Sequence, residues 1–382
     1  MNNPFQYGGI VEGAAFCNRK KEMADLAAGI ENCEKLFLYS ERRLGKTSLV
    51  QTVLRGLPKG RYAAAYVDLW PTDGERAFAA ATAQAITESM SSTAGQLLDI
   101  ATRLFGRLAP SITTDAEGKP RVTFGLSRSG RPGPEIEEVL AAPAEIAQRG
   151  KRKVVVVFDE FQQVLEYESD MVERRLRSVI QKHRDVSYIF LGSRKHLLQK
   201  MFLDRSRPLY RAAGHYPLGS IETKHWIPFI GKKFREGEKP IADDAIRAVC
   251  ELTEGHPFYT QHLCHALWDL CEPGEPVTEL LIEDAIKVLL DRESYAYTTL
   301  WESLALNQTR LLRGLASELA GVKPFGGAFI GRYGLGSASN SQRAVEGLLN
   351  RDLIDRDNGS FLITDRFFRI WIGRKQGVRG SA

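Results

Sequence analysis

Cysteine is scarce in this 382-residue chain: there are five, an odd number, and no Cys-x-x-Cys pair. That excludes a disulfide framework and a zinc ribbon. Long apolar runs are also missing. None approaches the roughly 18 residues that a membrane helix needs, and no basic-then-apolar leader opens the chain. We expect a reduced, cytoplasmic protein with no membrane partner. Repeats and low-complexity tracts are absent too. Net charge is small, 52 Lys+Arg against 47 Asp+Glu, or +5. The surplus is localised, because residues 321–382 hold ten Lys/Arg and five Asp/Glu, which leaves the first 320 residues neutral. A basic partner surface is therefore expected at the C-terminal end, where it fits nucleic acid better than a membrane.

With 43% hydrophobic and 26% charged residues, the composition is that of a soluble globular chain. The length suggests about two or three domains, each able to bury a core without covalent staples. Lys35–Tyr39 is a short apolar strand that runs into Ser40-Glu-Arg-Arg-Leu-Gly-Lys-Thr47, and a helix follows from Ser48. Tyr62–Leu69 reads as a second strand and residues 75–108 as helical. Ser111–Pro134 breaks the pattern with Gly, Pro, Ser and the basic residues Lys119, Arg121, Arg128 and Arg131; it reads as a loop or hairpin with a strand at Arg121–Leu126. Pro134–Arg149 is helical. Val154–Phe158 and Val186–Leu191 are unbroken apolar runs, as buried parallel strands are. Strands alternating with helices imply an α/β fold with a parallel sheet covered on both faces. After residue 220 the strands stop. Residues 221–292 read as helices, broken at Glu254-Gly-His-Pro257 and Glu272-Pro-Gly274. The remainder reads as helices at 306–319, 329–333 and 337–351, then a hairpin over 353–361 turning at Asp357-Asn-Gly359, the order of a winged helix.

Ser40-x-x-x-x-Gly45-Lys46-Thr47 lies between a strand and a helix, the context of a Walker A loop. Backbone N–H groups of the loop, through Arg43, Leu44, Gly45 and Ser48, would cradle phosphate. Lys46 would reach the β- and γ-phosphates, and the Thr47 hydroxyl would hold Mg²⁺. Ser40 stands where the pattern has its first glycine, a poor choice if φ there is positive. The strand Val154–Phe158 ends in Asp159-Glu160, as a Walker B strand does. Asp159 would hold Mg²⁺, and Glu160 would polarise the attacking water. Ser193, after the next strand, is the candidate γ-phosphate sensor, with Arg194 beside it. Arg211 is the candidate finger that a neighbouring subunit would supply in an ATP-dependent homo-oligomer; Arg205 and Arg207 are rivals. His262-Leu-Cys264-His265 reads as a buried helix rather than a metal site. Phe367, Phe368 and Trp371 read as core, and the tail Arg374-Lys375-x-x-x-Arg379 as solvated.

These residues fall into a set: Phe16-x-x-Arg19-x-x-Glu22, Arg42-Arg-Leu-Gly-Lys-Thr-Ser48, Phe158-Asp-Glu-Phe-Gln162, Leu191-Gly-Ser193, Pro208-Leu-Tyr-Arg211, Gly255-His-Pro-Phe258 and Leu353-Ile-Asp355 followed by Ile363-Thr-Asp365-Arg-Phe-Phe368. The set resembles the archaeal-type ATPases of the STAND/AAA+ group, relatives of origin-recognition ATPases. The resemblance covers nearly the whole chain. It implies an AAA+ core over 1–220, a helical lid over 221–292 and a winged helix over 293–382. It also implies that Arg19 and Glu22 open the nucleotide domain near the adenine, and that His256 or the backbone near Pro257 senses phosphate where many AAA+ lids carry an arginine. The function that follows is an ATP- and Mg²⁺-dependent switch acting on double-stranded DNA through the winged helix, with small polar residues from Ser337 to Arg343 opening its third helix. Arg332, Arg343, Arg351 and Arg356 would meet phosphates. Two alternatives stand beside it: a signalling or defence ATPase whose winged helix binds a protein partner, and a subunit that binds ATP without hydrolysing it.

Overall fold

The computed structural model describes residues 2–125, 133–318, 323–357 and 360–375. It divides into two compact units. One comprises residues 19–40 and 46–218; the other comprises the described residues of 1–18, 41–45 and 219–382.

The first unit is built on a five-stranded sheet: β1 (Lys35–Tyr39), β2 (Tyr62–Asp68), β5 (Lys153–Asp159), β6 (Val186–Gly192) and β7 (Gly214–Pro217), all parallel. A separate antiparallel hairpin, β3 (Pro110–Thr114) with β4 (Pro120–Phe124), lies outside it. The order across the sheet is β2-β5-β6-β1-β7. β5 and β6 are buried along almost their whole length, which is why both read as continuous apolar runs rather than alternating ones. The sequence did not indicate β7. Its Gly-His-Tyr-Pro composition has little strand propensity, and it forms because it completes an edge beside β1, where a terminal proline costs no ladder bond.

The stretch 75–108 is not one helix. It divides into Glu75–Glu88 and Ala94–Phe105, followed by a single 3₁₀ turn. Between them Ser91 Oγ accepts from the Thr93 backbone at 3.2 Å, the side-chain competition that ends helices at hydroxyl-rich sequences. In the β3–β4 turn, Asp115 Oδ1 accepts from the backbone of Glu117 and Lys119, both at 2.9 Å. Arg128 and Arg131 lie outside the described residues.

The second unit has one apolar core shared by helices 223–302, the helices and hairpin of residues 306–375, and the segment before residue 18. Phe5 is fully buried in it, and Lys233 Nζ donates to Pro4 O at 2.9 Å. The helix Glu279–Glu302 is unbroken for 24 residues. Helices Leu306–Ser317, Gly327–Tyr333 and Ala338–Asn350 precede a hairpin of β8 (Ile354–Asp357) and β9 (Ser360–Ile363), and helix Arg366–Lys375 closes the unit. The expected turn at Asn358-Gly359 and the tail beyond Lys375 lie outside the described residues. Phe367 and Phe368 are core, with Trp371 packed against them. All five cysteines are buried, and none is in a disulfide. No helix among the described residues is long and apolar enough to cross a membrane.

Candidate nucleotide site

In the sheet unit, β6 pairs with β5 on one side and β1 on the other. Tyr39 is level with Gly192, and Phe158 with Phe190. Asp159 at the end of β5, Glu160 just after it and Ser193 after β6 therefore emerge together at the C-terminal edge, where open α/β sheets place their ligands.

Thr47 Oγ1 donates to Asp159 Oδ2 at 2.9 Å. The same carboxylate oxygen accepts from Tyr66 OH, and Asp159 Oδ1 accepts from the Glu160 backbone at 2.8 Å. A hydroxyl and a carboxylate face to face are hard oxygen donors, so the pair fits Mg²⁺. Tyr66 was not anticipated. It lies on β2 in an alternating strand, and only the pairing of β2 with β5 brings it to Asp159. Burial, and next the neighbouring Asp159 charge, push its phenol well above the usual range, so it stays a donor at every working pH.

Glu160 has a left-handed backbone, φ 51°. Its Oε2 accepts from Ser193 Oγ at 3.0 Å and from Gln162 Nε2. Gln162 is a second residue that the sequence did not single out, although the Asp-Glu-Phe-Gln run contains it. Its side chain is buried, and its Oε1 has no hydrogen-bond partner among the described residues. Gly192 makes room for it: a Cβ there would overlap both Gln162 Oε1 and the Leu198 side chain.

Lys46 is buried, and its Nζ donates to Ser40 Oγ at 2.8 Å and Ser40 O at 3.4 Å. Ser40 is not among the positive-φ residues, so serine carries no strain there and adds a partner for the lysine. Gly45, at φ +85°, does occupy glycine's region. Ser48 is buried in the first turn of helix Lys46–Gly56. Arg19 is buried, with Nη1 2.7 Å from Glu22 Oε1.

Residues Glu41–Gly45 cluster with the C-terminal unit. Leu44 is buried. The Arg43 guanidinium lies 4.3 Å from the Phe258 ring centroid, and buried His256 places Nε2 3.0 Å from Arg42 O. Pro257 starts the helix that follows His256. His262 stacks on Tyr7, and His265 Nδ1 lies 2.9 Å from Phe5 O.

Arg211 is exposed, with φ 51° and its guanidinium 5.3 Å from the Tyr210 ring centroid. Arg207 is not a free surface arginine as its rivalry with Arg211 assumed: it is ion-paired to Glu173, whose side chain is 1% exposed. In the winged helix Ser341 also departs from expectation. It is fully buried, and Oγ donates to Pro324 O at 2.6 Å, because its position on helix Ala338–Asn350 faces the core. Ser337 caps that helix, accepting from Asn340 N at 3.2 Å. Ser339, Gln342 and Arg343 stay exposed. Arg332 pairs with Glu318 at 2.7 Å, and Arg351 with Ser303 Oγ at 2.7 Å; exposed contacts of this kind are weak and exchangeable.

Residues 16–263 match the family model described as an ATPase domain predominantly from Archaea, and residues 295–374 match a model described as a probable winged helix domain. Among solved structures, the chain is similar to a Walker-type ATPase of Pyrococcus abyssi, at 16% identity and a TM-score of 0.64, over 97% of this chain and 99% of that one. It is also similar to the Aeropyrum pernix ORC2 protein in ADPNP–ADP complexes, at 12% identity and a TM-score of 0.51, over 99% of both chains. A search of curated proteins found no match to the sequence.

Proposed function

The chain belongs to the ATPase domain family found predominantly in Archaea and is an ATP-binding ATPase, and from that premise we propose that it is a nucleotide-driven switch acting on duplex DNA. The observation that carries the catalytic part is Glu160, held by Gln162 and Ser193 next to the Asp159–Thr47 pair. Thr47 and Asp159 would hold Mg²⁺, which would neutralise charge on the transferred phosphoryl group. Lys46 leaves Ser40 for the phosphates. Glu160 accepts a proton from the attacking water, Ser193 reports on the γ-phosphate, and Arg19 borders the base. His256 and Pro257 contribute the lid's response. The three-part division at residues 220 and 292 belongs to the same reading. Nucleotide state then biases the populations of two conformations, and the winged helix reads out the bias. Arg211, exposed and lying over the Tyr210 ring, would act on a neighbouring subunit's nucleotide in an ATP-dependent homo-oligomer.

The DNA part rests on the localised charge of residues 321–382 and on exposed Arg332, Arg343 and Arg351. A protein partner for the winged helix is the second reading. It is favoured by Ser337 and Ser341, whose hydroxyls are spent inside the domain.

One experiment separates them. ATP hydrolysis is measured for the wild type and Glu160→Gln, with and without duplex DNA, at two salt concentrations. DNA-stimulated turnover that fades with salt and disappears in Glu160→Gln supports the DNA switch. Turnover indifferent to DNA, with no DNA binding, moves the winged helix to a protein partner. Full turnover in Glu160→Gln removes the catalytic assignment.

A further inference from the structure

Five consecutive residues of the phosphate loop, Glu41–Gly45, are grouped with the lid and winged-helix elements. The tie is chemically specific. Arg366, on the last helix of the winged domain, has a side chain only 3% exposed. Its Nη1 lies 2.7 Å from Glu41 Oε2, and its Nη2 lies 2.9 Å from Glu254 Oε2. Nη1 also donates to Thr364 O at 3.0 Å. Arg369 pairs with the other oxygen of Glu254. Glu254 immediately precedes Gly255 and His256, and His256 Nε2 meets Arg42 O. A guanidinium is not buried without carboxylates to answer it, and its planar fork fixes two of them at once. The glutamate of the loop and the glutamate of the lid turn are thus held on one arginine.

The fixed segment is the part of the loop with demanding backbone geometry. Arg43 has φ 62° and Gly45 φ 85°. A loop that binds phosphate through backbone N–H groups gains affinity when their directions are set beforehand, since the nucleotide then does not have to order them. We propose that Arg366 is a positioning residue for nucleotide binding, through which the winged helix and the lid turn together set the shape of the phosphate loop by way of Glu41. This rests on the reading of the loop as the ATP site.

The test uses the full chain, with affinity read by a fluorescent ATP analogue, steady-state KM and kcat, and thermal melting in parallel. Arg366→Met and Glu41→Gln should each raise Kd and KM about tenfold, leaving kcat at saturation within about threefold of wild type. Arg366→Lys, which keeps the charge but not the fork, should recover only part of the loss, because one ammonium cannot hold both glutamates in the same geometry. The double variant Glu41→Gln with Arg366→Met should bind no more weakly than the weaker single one, because both cut the same link. Unchanged Kd in folded Arg366→Met and Glu41→Gln overturns the proposal. So do losses that add in the double variant, or a lowered melting temperature with Kd unmoved. If Arg366→Met does not fold, Glu41→Gln alone decides. Lys46→Ala separates the two levels. If it binds the analogue as well as wild type, the ATP-site reading itself fails. If it loses binding and Glu41→Gln does not, only the link fails.

Discussion

Gln162 and Gly192 fit together. The buried amide of one occupies space that any side chain on the other would take. The relationship matters because Gln162 Nε2 is bonded to the carboxylate of Glu160, so the missing side chain at the end of β6 helps determine how the proposed catalytic base after β5 is held.

Gly192→Ala should therefore reach the chemistry from a distance. It should destabilise the fold by about 1–3 kcal/mol, the cost of overpacking a filled site. Gln162→Ala, which removes the amide without adding bulk, should lower kcat about tenfold with KM little changed, since it acts on the placement of the base. Steady-state kinetics beside a denaturant melt checks both. A normal kcat in Gln162→Ala would show that Ser193 alone positions Glu160.

Tyr66→Phe removes one of the donors to Asp159 and leaves the ring in place. Outer residues that orient a metal-binding carboxylate typically matter by a factor of ten or more. The expected result is an Mg²⁺ requirement for turnover raised about tenfold, with kcat near normal once Mg²⁺ is saturating. An Mg²⁺ titration of ATPase activity reads this directly. An identical titration curve would leave the phenol no part in holding the acid.

His262 gives a pH signature to the second unit. Burial, with smaller contributions from nearby His265, Arg292 and Arg43, pulls its pKa down to about 4. The unfolded chain binds this proton near the ordinary histidine value of about 6.5, so between those two values the unfolded state holds more protons. Stability is then full above about pH 6.5 and is lost as pH falls toward 4, by about 1–2 kcal/mol after allowing for the partly exposed ring. His262→Phe keeps the stack on Tyr7 and should flatten that acid limb in urea melts from pH 7 to pH 4. An acid limb as steep as in wild type assigns the loss to other groups.

Much of the sheet was legible because β5 and β6 are buried throughout and carry no competing pattern. The placement of the loop, Asp159, Glu160 and Ser193 was legible because they are tied to strand ends and need no knowledge of neighbours. Tyr66 and β7 were not, because each owes its place to pairing across the sheet, and a strand such as Gly-His-Tyr-Pro has no local reason to extend. Ser341 was read as a polar residue open to a partner. Helical phase turned it inward, where a backbone carbonyl satisfies it. The Arg366 cluster joins residues more than 300 positions apart, and no periodicity signals that.

The unbroken helix Glu279–Glu302 contains no glycine or proline. At 1.5 Å per residue it is a rod of about 36 Å, and straight helices bend sharply only at such breaks. The rod crosses residue 292, where the expected lid ends and the expected winged helix begins. A tilt of 10° at one end carries the other about 6 Å, more than one helical turn. In the proposed switch such a span would work as a lever rather than a tether, so a small rotation at its first turn would arrive at its last turn enlarged and with its direction preserved.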